Sequence, residues 1–127
     1  MIAYLYSPSE LAWFMKAVTG GNECLKRVLG DDIPEPDEES VIRSLMDKGF
    51  LNAGGTDPVQ TFMMRQAAGA VGYTESGGGK VHIFECSRMI MVFIRDKRSS
   101  NIKVIPFENA ASAKAALEEN GTDGLLE

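Results

Sequence analysis

The chain has 127 residues, 44% of them hydrophobic, and a net charge of −5 from 13 Lys plus Arg against 18 Asp plus Glu. This length suffices for one domain, 1–127, with a core that needs no disulfide or metal staple. The acidic balance disfavours nucleic acid as a partner, and no apolar run approaches the roughly 18 residues that cross a bilayer. There are two cysteines, Cys24 and Cys86, and no charged-then-apolar leader, a pattern that points to reduced thiols and a cytoplasmic protein without membrane association.

Met1 to Tyr6 alternates weakly and suits a short strand. Ser7-Pro8-Ser9-Glu10 then reads as a helix start: a capping Ser, Pro at the first helical position, and Glu three residues after the cap. Leu11, Phe14, Met15 and Val18 give a buried stripe, and Gly20-Gly21 ends it. Trp13 lies off that stripe, so it either packs under a loop or serves as a partner contact. Asn22 to Leu29 predicts a short second helix, and the acidic, Pro-punctuated stretch from Asp31 to Pro36 reads as a connector. Asp37 opens a third helix with Ile42, Leu45 and Met46 as its expected buried stripe, closed by Lys48-Gly49. Phe50-Leu51 forms a short extended segment. Asp57-Pro58-Val59-Gln60 starts a fourth helix, with Val59, Phe62, Met63 and Ala67 expected inside. Residues 1–69 are thus mainly helical.

From Ala70 the period changes to that of strands. Val71 and Tyr73, then Lys80 to Cys86, flank a Ser76-Gly77-Gly78-Gly79 loop whose glycines permit positive φ. Met89 to Ile94 is apolar at every position, as a central strand covered on both faces would be. Ile102 to Phe107 is its partner across a polar break. The expected fold is α+β, a four-stranded antiparallel meander in the C-terminal half, packed with the N-terminal helices and a last helix. That helix is capped by Asn109 and closed by Asn120-Gly121, which makes 70–121 sheet plus helix and 122–127 a frayed tail. The sheet edges are then the strand from Ala70 to Thr74 and the strand from Ile102 to Phe107. Lys103 and Pro106 protect the second edge, whereas the first has no such guard. Either the N-terminal strand pairs with the first edge or a second copy does, and a homodimer whose interface includes residues near Val71 and Tyr73 or the N-terminal strand is the expectation.

No reactive constellation emerges. The glycine run before Lys80 has Thr74 and Val81 where a phosphate-binding loop needs Gly and Ser or Thr, and it precedes a strand instead of a helix. His82 is the only histidine, and Cys86 lies roughly 13 Å from it along an extended strand. The acidic run from Asp31 to Glu39 lacks the spacing of a calcium loop. Catalytic, metal and cofactor sites are accordingly expected to be none, and the protein is expected not to be an enzyme.

Two resemblances add to this reading. Ser40 to Leu51, SVIRSLMDKGFL, resembles the recognition helix and following strand of winged-helix transcription regulators, with Arg95, Lys97, Arg98 and Lys103 as a candidate basic patch. The would-be recognition helix, however, starts with Asp37, Glu38 and Glu39. Over nearly the whole chain, SPSELAWFMKAVTG, SVIRSLMDKGFLNAGG, TDPVQTFMMRQAAG and VIPFENAASAKAALEE together resemble the EspG-like proteins associated with type VII secretion. That resemblance implies a non-enzymatic chaperone or adaptor holding a protein partner. The family usually has two α/β lobes, and this chain has length for one.

Overall fold

The run from Ile90 to Ile94 is buried at every position and forms the middle strand of a five-stranded sheet, as its lack of a polar face requires. A computed structural model describes residues 2–21, 23–31, 33–35, 37–96 and 98–126, with side chains through 118. In chain order the elements are β1 (Tyr4–Tyr6), α1 (Pro8–Thr19), α2 (Glu23–Leu29), α3 (Glu38–Asp47), β2 (Leu51–Asn52) and β3 (Gly55–Thr56). They continue with α4 (Pro58–Ala68), β4 (Gly72–Ser76), β5 (Val81–Glu85), β6 (Ile90–Arg95), β7 (Ile102–Phe107) and α5 (Ala110–Leu126). The fold is α+β. The main sheet runs β1-β7-β6-β5-β4, every neighbouring pair antiparallel, and β2 pairs only with β3.

The meander from β4 to β7 is as expected, but the sheet has a fifth strand. β1 pairs with β7, Tyr4 opposite Val104 and Tyr6 opposite Ile102, and not with β4. Burial of Tyr6 accounts for the choice. Its ring packs on Phe14 and Phe50, with centroids at 5.9 and 4.9 Å, and its hydroxyl donates to Gln60 Oε1 at 2.5 Å. That interior lies beside β7. The pairing stops short of Pro106, which has no N–H to offer a neighbour.

Alternation along β6 and β7 separates two cores. Met91, Phe93, Ile102 and Val104 face α1 to α4, together with Leu11, Phe14, Met15, Leu25, Leu45, Met63 and Met64. Ile90, Val92, Ile94, Ile105 and Phe107 face α5, which meets them with Ala113, Ala116 and Leu117. Each large side chain buried this fully contributes about 1.5–3 kcal/mol relative to exposure.

Local signals fix the helix ends. Ser7 Oγ accepts from the Glu10 amide at 3.1 Å, and Glu10 Oε1 accepts from the Ser7 amide at 2.7 Å, completing the capping box. Gly20 ends α1 at φ 72°, its N–H donating to Lys16 O at 2.9 Å. Asp57 caps α4 through the Gln60 amide, and Asn109 caps α5 through the Ser112 amide. α5 runs on to Leu126, past the stop expected at Asn120-Gly121. A glycine within a helix costs only about 1 kcal/mol against Ala and does not by itself end one.

Two buried stripes differ from those expected. α3 buries Val41 and Leu45 and leaves Met46 exposed, with Ile42 half-buried. α4 buries Gln60, Met63, Met64 and Ala67 and leaves Val59 and Phe62 exposed. In both helices a polar contact sets the rotation. Ser44 Oγ donates to Glu10 Oε2 at 2.6 Å, and Gln60 accepts the Tyr6 hydroxyl, so these faces turn inward. Lys48 Nζ, just past α3, donates to Glu10 Oε1 at 2.6 Å and to Leu5 O at 2.8 Å, tying α1, α3 and β1 together. The Glu10 side chain is only 4% exposed. Burial pushes its carboxyl upward, but the bonds from Lys48, Ser44 and the Ser7 amide outweigh that and hold it below the usual carboxylate range.

Candidate functional site

β4 is an edge of the sheet, with β5 as its one neighbour. It runs Gly72–Ser76, two residues later than the sequence suggests, and the turn to β5 occupies 77–80. Gly77, Gly78 and Gly79 all have positive φ there. Val71, immediately before the strand, is 82% exposed, the highest exposure among the large hydrophobic side chains described. Its N–H nevertheless donates within the chain, to Glu85 O at 2.8 Å.

Tyr73 points back into the protein. Its ring packs against Phe84 at 5.0 Å and lies under the Arg27 guanidinium of α2 at 4.4 Å. Its hydroxyl sits 2.7 Å from His82 Nδ1 and 3.5 Å from Glu75 Oε2. The residue is therefore engaged by its own chain, unlike Val71. His82, opposite Glu75 on β5, is 3% exposed, and its Nε2 has no hydrogen-bond partner among the described residues. Burial pushes the imidazole below its ordinary value and Arg95 adds to this, against the opposing pull of Glu75 and the Gly79 carbonyl. The ring is neutral near pH 7. Burial likewise raises the Tyr73 phenol.

A cleft of about 210 Å³ opens beside this edge between α2, the end of α4 and β4, with Cys24, Arg27, Val71 and Tyr73 on its walls. Burial, with Cys86 adding, pushes the Cys24 thiol up to about 12, and burial raises Cys86 as well, so both are poor nucleophiles near neutrality. Among the described residues no three His, Cys, Asp or Glu side chains converge as a metal site requires.

Trp13 lies elsewhere, half-buried on α1, in a groove of about 550 Å³ between α1, α2 and the loop 33–35. Ala12, Leu25, Ile33 and Pro34 give it apolar walls, and Lys16, Glu35 and Glu38 stand among its polar ones. The indole Nε1 donates to Glu38 Oε1 at 3.5 Å, a long and weak contact. Trp13 thus lines this groove together with Ile33, Pro34 and Glu35 of the loop.

Of the four basic residues, the three described, Arg95, Arg98 and Lys103, do not share one surface. Arg95 lies on the face with Met91 and Phe93, and its Nη1 donates to Leu29 O at 3.4 Å. Lys103, opposite Ile94, lies on the α5 face. Arg98 is exposed beside Asp96 at 3.9 Å, and Lys97 is outside the described residues. α3 is followed by a hairpin of two residues per strand and then α4, and Asp37, Glu38 and Glu39 stand at its start.

Sequence reasoning named Val71, Tyr73 and Trp13 but missed the Tyr73–His82–Glu75 cluster. A turn placed one residue later, at 77–80 and not 76–79, would have set Glu75 opposite His82. Comparison with protein-family models and with curated proteins finds no match for this chain.

Proposed function

We propose that this chain is a non-enzymatic adaptor or chaperone-like module that works by protein contact, in the manner of the EspG-like proteins it resembles, and that it pairs with a second copy through β4. The observation that supports this is the unequal treatment of the two sheet edges. β1 is three residues long, and Lys48 holds its Leu5 carbonyl. β4 is five residues long, carries no proline or lysine, and leads in from the exposed Val71. An antiparallel contact between two β4 strands is isologous and closes as a dimer, which supplies a second lobe.

Light scattering on a size-exclusion column tests this. A dimer of the native protein that becomes monomeric on substituting Val71→Lys with Thr74→Lys supports the reading; both side chains are exposed, so the fold tolerates the change. A native protein that stays monomeric at every concentration sinks the edge contact. Nanomolar binding to a defined DNA operator would replace the adaptor reading with that of a winged-helix regulator.

A further inference from the structure

The groove beside Trp13 has a chemistry that selects its occupant. Its apolar walls, Ala12, Leu25, Ile33 and Pro34, suit an aliphatic side chain, and the indole face suits a cation. Glu35 and Glu38 are both exposed and make no salt bridge among the described residues. The 3.5 Å contact from the indole leaves Glu38 with acceptor capacity to spare. Among the described residues the lining carries two carboxylates, Glu35 and Glu38, against one cation, Lys16, so its balance is acidic.

We propose that this groove docks a partner segment in which Lys or Arg flanks an apolar anchor. The anchor fills the space between Leu25, Ile33 and Pro34, and the cation lies over Trp13 within reach of Glu35 and Glu38. An acidic segment would bring carboxylates against these two and is rejected by repulsion. The inference rests on the reading that the protein works by contact, but it uses a surface distinct from β4.

Trp13 is the only tryptophan, so its fluorescence reports on this groove alone. The probe is a synthetic amphipathic helix of Leu and Lys, and the control is its Leu and Glu counterpart. The expected result is a saturable change in Trp13 emission with the Leu/Lys peptide only. Added salt weakens it, and Glu35→Lys with Glu38→Lys weakens it roughly tenfold or more. Circular dichroism confirms that the variant is folded. An unchanged emission overturns the proposal, as does an equal response to the Leu/Glu peptide or an undiminished response in the variant. A monomeric protein that passes this test loses the β4 dimer and keeps the groove; a dimer that fails it does the reverse.

Discussion

Replacing Glu10 with Ala is expected to destabilise the fold by about 3 kcal/mol, more than any other single change of a charged residue described above. Three donors converge on this carboxylate: the Ser7 amide at 2.7 Å, Ser44 Oγ at 2.6 Å and Lys48 Nζ at 2.6 Å. Hydrogen bonds to a charged group contribute about 1.5–3 kcal/mol each, but not additively, and Lys48 is 31% exposed and turns to water once released. Discounting that arm leaves a loss of roughly 2–4 kcal/mol, or a fall of about 10 °C in Tm for a domain of this size. Glu10→Gln keeps an acceptor for the Ser7 amide and is expected to cost about 1–2 kcal/mol. In a double-mutant cycle with Lys48→Met, urea denaturation is expected to give a coupling of about 1 kcal/mol. The carboxyl is held below its unfolded value, so its contribution is complete above the unfolded pKa and is lost as pH falls through the folded one. A Glu10→Ala variant that lost less than about 1 kcal/mol would refute the reasoning and leave apolar packing alone as the join between α1 and α3.

Two further outcomes follow from buried or strained positions. The His82 ring is held neutral in the fold, whereas the unfolded ring takes a proton near pH 6.5, so stability is complete above that value and declines as pH falls toward the lower folded pKa. His82→Phe is expected to abolish this decline, read from urea midpoints in buffers on either side of the window; an unchanged slope would mean that another group titrates. Ser100 has φ 62° in the turn from β6 to β7, the one positive value found for a non-glycine among the described residues. Ser100→Gly relieves that strain and is expected to raise stability by up to about 1 kcal/mol, seen as a higher Tm in calorimetry.

How legible the fold was depended on the range of the interactions that decide each element. The start of α1 follows from Ser7, Pro8 and Glu10 because every partner lies within four residues. The central place of β6 follows because an apolar run such as Ile90 to Ile94 tolerates no exposed face. The rotation of α3 and α4 was not legible. Val41 with Leu45, and Ile42 with Met46, share the same helical spacing, and the bonds from Ser44 and Lys48 to Glu10 favour the first pair. Gln60 counts as a surface residue in any hydropathy pattern, yet Tyr6 from the far end of the chain draws it inward. At the candidate sites, Trp13 reads as an aromatic residue off the α1 stripe and Val71 as part of an unguarded edge strand; in the fold Val71 is exposed and Trp13 half-buried. The engagement of Tyr73 was hidden because it depends on a register that a glycine run leaves loose.

The pairing of Tyr4 with Val104 has a consequence for how the protein is made. The N-terminal helices leave the ribosome first, but the sheet face that they cover is built from residues 72–107. At synthesis rates of about 5–20 residues per second, Tyr6, Leu11, Phe14 and Met15 wait on the order of 5–20 s for their platform. During that interval α1 is a short amphipathic segment with nothing to pack on, and short isolated helices are marginal in water. Until residues 72–107 have emerged, the apolar side chains of α1 lack the sheet face that covers them in the fold.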